Sequence, residues 1–193
     1  MADMETLDTL RERLPEAAKD IKLNVQAVLS GGVLTPAQRW GVAVASALTA
    51  RHPDVSRAVI HEARQHAGDA VVEDAVAAAA LMSMNNVFYR FRHRIGKAEY
   101  GDKPARLRMN RLAKPATNQH DFELFALAVS AINDCESCVR AHEKTVTEGG
   151  LTPDHVNDAV RIAATIYAAA VALEAGESGA GDPAVIEVSV QGA

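Results

Sequence analysis

Cysteine is nearly missing from this chain: there are two in 193 residues. That excludes the disulfide-dense frameworks of small secreted domains. Aromatic residues are scarce, at 4 %, so small and aliphatic side chains must fill the core. Alternating runs of β-branched residues are lacking, and with them the signature of half-buried strands. There is no positive excess either. The net charge is −5, whereas phosphate binding needs a clustered cationic face, so nucleic acid is not the expected partner. Met1-Ala2-Asp3-Met4-Glu5 has neither a basic segment nor an apolar run. No signal peptide is therefore expected, and the expected location is cytoplasmic. Apolar windows are broken by polar residues before they reach a bilayer-spanning length, so no membrane association is expected. One local exception to the charge balance is the cluster Arg90, Arg92, His93, Arg94 and Lys97. It reads as a solvated helix end, where cations meet the negative end of the dipole.

What is present is apolar character, 48 % of residues, much of it alanine, the best helix former and small enough for close helix packing. The fold class this predicts is all-α. Helices are expected over 4–14, from Pro15 to Ser30, from Thr35-Pro36-Ala37-Gln38 (a capping-box start) to Arg51, and over 55–66. The apolar stretch from Trp40 to Leu48 marks the third of these as central. A long helix over 69–94 is expected to bury Val72, Ala75, Val76, Ala79 and Ala80, with Asn85-Asn86 as a point where it splits. Residues 96–117 read as an irregular connection with one short helix near 105–112, placed to cover a site. A helix over 121–132 turns Phe122, Phe125, Val129 and Ile132 inward. The last long helix starts at Thr152-Pro153-Asp154 with the stripe Val156, Ala159, Val160, Ala163, Ile166, Tyr167 and Ala170. One helical domain is expected over 1–175, with a poorly ordered tail over 176–193. A faint internal echo pairs Leu34-Thr35-Pro36 with Leu151-Thr152-Pro153 and Met82–Asn86 with Ser130–Asp134. It would make the chain one active and one degenerate copy of a unit, with Val87 and Arg90 in the places of the cysteines; chance matching is the simpler account.

The chemistry is concentrated in Asn133-Asp134-Cys135-Glu136-Ser137-Cys138-Val139-Arg140-Ala141-His142. Asn133 and Asp134 are good N-caps, which puts the C-x-x-C at the first turn of a helix. There the free backbone N–H groups and the dipole favour a thiolate. His142, four residues after Cys138, lies on the same helical face. Three readings compete. Zinc would find three ligands, Cys135, Cys138 and His142, but all from one helix and with no second cysteine pair. Two packed cysteines beside a surface histidine is the plainest reading. Dithiol–disulfide redox chemistry has its needs met: a stabilised thiolate, a base one turn away and a second thiol. A thioredoxin fold is excluded by the missing βαβ pattern. The other histidines, His52, His61, His66, His93, His120 and His155, show no ligand spacing.

The segment Phe122 to Glu143 resembles the core of the alkyl hydroperoxide reductase AhpD family, within the carboxymuconolactone decarboxylase-like superfamily. Leu14–Asn24, Met84–Arg90 and Leu107–Asn110 resemble AhpD segments too, so the likeness covers roughly residues 4–175. It implies an all-α homotrimer acting as a lipoyl-dependent peroxidase with no tightly bound cofactor or metal. Electrons would come from a dihydrolipoyl group (dihydrolipoamide in its free form) on a lipoylated acyltransferase component. They would pass to hydroperoxides or to the peroxiredoxin AhpC. By the same resemblance Cys138 is the peroxide-attacking thiolate, with a sulfenic acid intermediate. Cys135 is proton donor and resolving thiol, closing a Cys135–Cys138 disulfide, and His142 and Glu123 form the proton relay. Read from the sequence alone, Glu123 is a surface carboxylate; the resemblance makes it the group that orients His142. Two features sit against this picture. Helix-start physics favours Cys135 as the thiolate, which suggests that Cys135 meets the lipoyl group while Cys138 meets peroxide. Some family members carry a histidine between the cysteines, where this chain has Glu136-Ser137, and Glu136 opposes thiolate formation. The alternatives are a decarboxylase-like lyase of the same superfamily and a zinc-dependent helical interaction module.

Overall fold

A computed structural model of the chain describes residues 6–179; within them every regular element is helical. In order these are α1 (Leu7–Glu12), a 3-10 turn (Glu16–Ala18), α2 (Lys19–Ser30), α3 (Pro36–Ala50), α4 (Pro53–Ala67), α5 (Asp69–Ile95), α6 (Ala98–Gly101), α7 (Asn110–Ala113), α8 (Gln119–Ile132), α9 (Glu136–Glu148) and α10 (Pro153–Glu177). The last helix takes in Gly176 and Glu177, where a tail was expected; residues 180–193 lie outside the described residues. By length and composition α10 would also cross a bilayer, contrary to the sequence reading. Its buried side, from Ala159 to Leu173, packs on α2, α3 and α8.

Two helices form the centre. α3 buries every residue from Trp40 to Ala47 and touches α4, α5, α8 and α10. α8 buries every residue from Asp121 to Ser130, on all sides rather than along the one face expected. Both are rich in alanine, which lets axes come close. Gly41 is a product of that closeness: a Cβ there would stand 2.0 Å from the Phe125 ring. The start signals act as read. Thr35 and Gln38 make a full capping box with Pro36 in the first turn, and Thr152 and His155 repeat it on α10. The Leu-Thr-Pro echo therefore marks one capping device used twice. Pro15 precedes the 3-10 turn as its N-cap instead of opening a helix directly.

Three expectations fail for physical reasons. α5 is unbroken through Asn85-Asn86, because both amides turn sideways to other elements and do not compete with their own backbone. Of its expected face Val72, Ala75 and Ala79 are buried, joined by Val71, Asp74, Ala78 and Met82, while Val76 and Ala80 are exposed because the buried stripe is centred to one side of the expected one. α10 buries the expected Ala159, Ala163, Ile166 and Ala170 and also Ile162, Ala169 and Leu173, but exposes Val160 and Tyr167. The helix expected over 105–112 is confined to α7, since Arg106 takes a left-handed conformation (φ 51°) that no α-helix continues through.

Asp74 fastens that connection to α5. Its wholly buried carboxylate accepts from Arg111 Nη2 (3.0 Å), the Ala116 N–H (2.8 Å), the Thr117 N–H (2.8 Å) and Thr117 Oγ1 (2.7 Å). Burial alone would raise its pKa; the donors from Ala116, Thr117 and Arg111 outweigh it and hold the carboxyl below the ordinary aspartate value.

Candidate functional site

The site begins where α8 hands over to α9. Asn133 closes α8, Asp134 makes the turn at φ 53°, and Cys135 is itself the N-cap of α9. Asn133 and Asp134 thus end one helix and turn the chain; neither caps the next. Aspartate tolerates the left-handed region better than most residues. The turn is clamped from two sides. The Cys135 N–H donates to the Ser130 carbonyl (3.1 Å). Asn86 on α5 donates to Ser130 Oγ (3.0 Å) and accepts from Asn133 Nδ2 (3.0 Å). Arg90, one turn on, donates to the Asn133 carbonyl.

Cys135 and Cys138 are joined as a disulfide, with Cα atoms 5.3 Å apart. Their exposures differ in what they allow: Cys135 is fully enclosed at 0 %, whereas Cys138, at 7 %, lines a cavity of about 270 Å³. Met82 and Tyr89 from α5 wall this space, with Met109 and Leu112 from the connection and His142 from α9. The expected cover is therefore real, although α7 and the loop before it provide it. The lining is mostly apolar, suited to an organic group beside one sulfur.

His142 stands one helical turn beyond Cys138 and is buried. Its Nδ1 lies 2.5 Å from Glu123 Oε2, and Glu123 Oε1 accepts from Gln119 Nε2 (3.1 Å). Its Nε2 lies 3.2 Å from Met82 Sδ. The imidazole is thus held at both nitrogens, by a carboxylate on one side and a thioether on the other. Glu123 is no surface group: α8 carries it inside, 6 % exposed. Adjacent packing of α8 and α9 brings the two together across 19 residues of sequence.

The carboxymuconolactone decarboxylase family model matches residues 98–177, which include the disulfide, Glu123 and His142. The chain is 66 % identical over 171 residues to alkyl hydroperoxide reductase AhpD of Anaeromyxobacter sp. (strain K), covering 89 % of this chain and 92 % of that one. It belongs to the AhpD family. A relative of the same name from Rhodospirillum centenum is 47 % identical over 170 residues (88 % and 91 % of the two chains). One from Brucella canis is 42 % identical over 173 residues (90 % and 99 %).

Within this AhpD chain the Glu136-Ser137 departure has a definite geometry. Ser137 Oγ lies 3.7 Å from Cys135 Sγ and on the cavity wall. Glu136 is turned outward, 2.8 Å from Arg140 Nη2 and 3.5 Å from His93 Nε2, so its charge is met by the Arg140 guanidinium. Two of the remaining histidines have structural roles nearby: His66 stacks on Trp40, with centroids 5.0 Å apart, and His155 completes the α10 cap. Among the described residues no three His, Cys, Asp or Glu side chains converge as a metal would require. Sequence reasoning missed Met82, Met109 and Gln119. The two methionines carry no spacing that points to a site. Gln119 sits four residues before Glu123, a helical spacing that pointed to it.

Proposed function

We propose that this chain is a cytosolic thiol peroxidase and disulfide reductase, reducing organic hydroperoxides and an AhpC-type peroxiredoxin at the expense of dihydrolipoyl thiols. The observation that carries the reading is a disulfide with one sulfur on an apolar cavity, beside an imidazole held by a buried carboxylate. The names of its relatives supply the substrate class.

In the reduced enzyme the Cys138 thiolate, its proton held at His142, attacks the outer oxygen of ROOH. The O–O bond breaks, Cys138 becomes a sulfenic acid, and the alkoxide takes the Cys135 proton to leave as ROH. The Cys135 thiolate then attacks the sulfenic sulfur. The disulfide forms and hydroxide leaves, becoming water with the His142 proton. In the reductive half a dihydrolipoyl thiolate attacks Cys138 Sγ, since Cys135 is enclosed, and expels the Cys135 thiolate at the N-terminus of α9. A second lipoyl thiol completes the two-electron transfer. This reverses the assignment of the lipoyl encounter to Cys135. The helix end then serves the leaving sulfur, which departs faster when its thiolate is stabilised.

A homotrimer, an acyltransferase-borne lipoyl group and AhpC as acceptor complete the reading, all from the family. The test is an organic hydroperoxide assay with and without dihydrolipoamide. Cys138→Ser is expected to abolish turnover, and His142→Phe to reduce kcat by roughly a hundredfold, the ordinary contribution of a positioned base. Full activity of Cys138→Ser overturns the mechanism. The lyase alternative draws on the decarboxylase name of the matching family model; activity that survives complete thiol alkylation would favour it.

A further inference from the structure

The cationic cluster noted at residues 90–97 is the start of something larger. Between Arg90 and Lys114 lie nine of the chain's 20 Lys and Arg and only two of its 25 carboxylates, Glu99 and Asp102. In a chain of net charge −5, this is a local reversal of sign. The same stretch supplies Met109 and Leu112 to the cavity wall, and Tyr89 immediately precedes it. The cationic segment is thus the one that walls the cavity beside Cys138.

The segment is built as a fixed surface. The Arg92 guanidinium lies 4.4 Å over the Phe88 ring and donates to the Lys103 carbonyl; Phe91 packs edge-on against Tyr100 at 5.6 Å. Asp74 anchors its far end through Arg111, Ala116 and Thr117. Three more cations are occupied: Arg90 by the Asn133 carbonyl, Arg94 by Asp134 and Arg111 by Asp74 and Glu73. Lys97, Lys103, Arg106, Arg108 and Lys114 are exposed, and no carboxylate among the described residues pairs with them. Five like charges left unneutralised on one packed segment repel one another, a cost that an anionic partner would relieve.

We infer that this segment is a cationic rim, the docking surface for an acidic protein domain carrying its dithiol on a flexible side-chain arm. The inference rests on the proposed function and adds to it how the electron donor is selected. The location favours a thiol carrier over nucleic acid or an anionic membrane, because whatever settles on the rim must deliver two thiols to Cys138. Dithiol exchange moves two electrons and two protons: the donor leaves as a disulfide, and Cys135 and Cys138 become thiols. Charge on the rim raises the encounter rate and sets orientation, while the cavity receives the arm.

The test compares free dihydrolipoamide with a recombinant dihydrolipoylated acyltransferase domain of negative net charge as reductants of the full chain. The rim variant carries Lys97→Glu, Lys103→Glu and Arg108→Glu. A control carries Lys19→Glu, Lys22→Glu and Arg51→Glu, the same change in net charge away from this segment. The expected result is an unchanged rate with free dihydrolipoamide for both variants. With the domain-borne dithiol, kcat/KM falls about tenfold or more in the rim variant alone, and its salt dependence flattens. Three outcomes overturn the inference: an unchanged domain-borne rate in the rim variant, an equal loss with both reductants, or an equal loss in the control. Binding of a duplex oligonucleotide that disappears in the rim variant while the domain-borne rate holds overturns it in favour of nucleic acid. If neither form of dihydrolipoamide reduces the wild-type chain, the lipoyl reading itself fails, which is a separate result.

Discussion

Met82 packs like a core residue, yet its sulfur meets the Nε2 of His142. Replacing it with leucine preserves volume and removes the one polar contact that nitrogen makes among the described residues. Met82→Leu is therefore expected to leave the melting temperature and KM nearly unchanged while kcat falls about fivefold, the effect of one hydrogen bond of about 1 kcal/mol. Equal kcat in the variant would show that the thioether only fills space. At this scale the sequence was legible where spacing along one helix fixes geometry. Cys135, Cys138 and His142 fall together because three- and four-residue steps share a face. Glu123 needed the family likeness, because a carboxylate between Phe122 and Leu124 gives no sign that its helix is buried all round. Met82 reaches the site from 60 residues away, and nothing in a lone methionine announces that.

Among elements, α5 and the connection after it depend on one carboxylate. Asp74→Asn removes the charge from a group with four donors and is expected to cost roughly 2 kcal/mol, read by chemical denaturation. KM for hydroperoxide should rise as well, since the connection walls the cavity with Met109 and Leu112. The pH dependence has a definite sign. The folded pKa of Asp74 lies below its unfolded value, so its stabilisation is present above the unfolded pKa. It is lost as pH falls from the ordinary aspartate value of about 3.9 toward the lower folded one. The Asn variant should therefore show a shallower loss of stability in acid than the wild type, measured by urea melts across that window. Capping chemistry made helix starts readable, as at Thr35-Pro36 and Thr152-Pro153. Helix rotation was less so: on an alanine-rich helix such as α5 the small residues look alike on every side, and the buried face is chosen by where Asp74 and Met82 find partners.

For the whole molecule, an all-helical chain followed from composition, but the arrangement around α3 and α8 did not, since which helices become central is decided by contacts distant in sequence. The placement of the disulfide has a thermodynamic corollary. The bond links residues only three apart, so it restrains very little of the unfolded chain, about 2 kcal/mol by loop-closure entropy against about 5 for a hundred-residue loop. Oxidised and reduced protein should consequently melt within about 8 °C of each other in scanning calorimetry. A larger gap would mean that the bond braces the architecture. Because the cross-link sits where the fold barely feels it, opening or closing it would not bring the molecule near its own denaturation, and the durability of the fold is decoupled from the redox state of these two sulfurs.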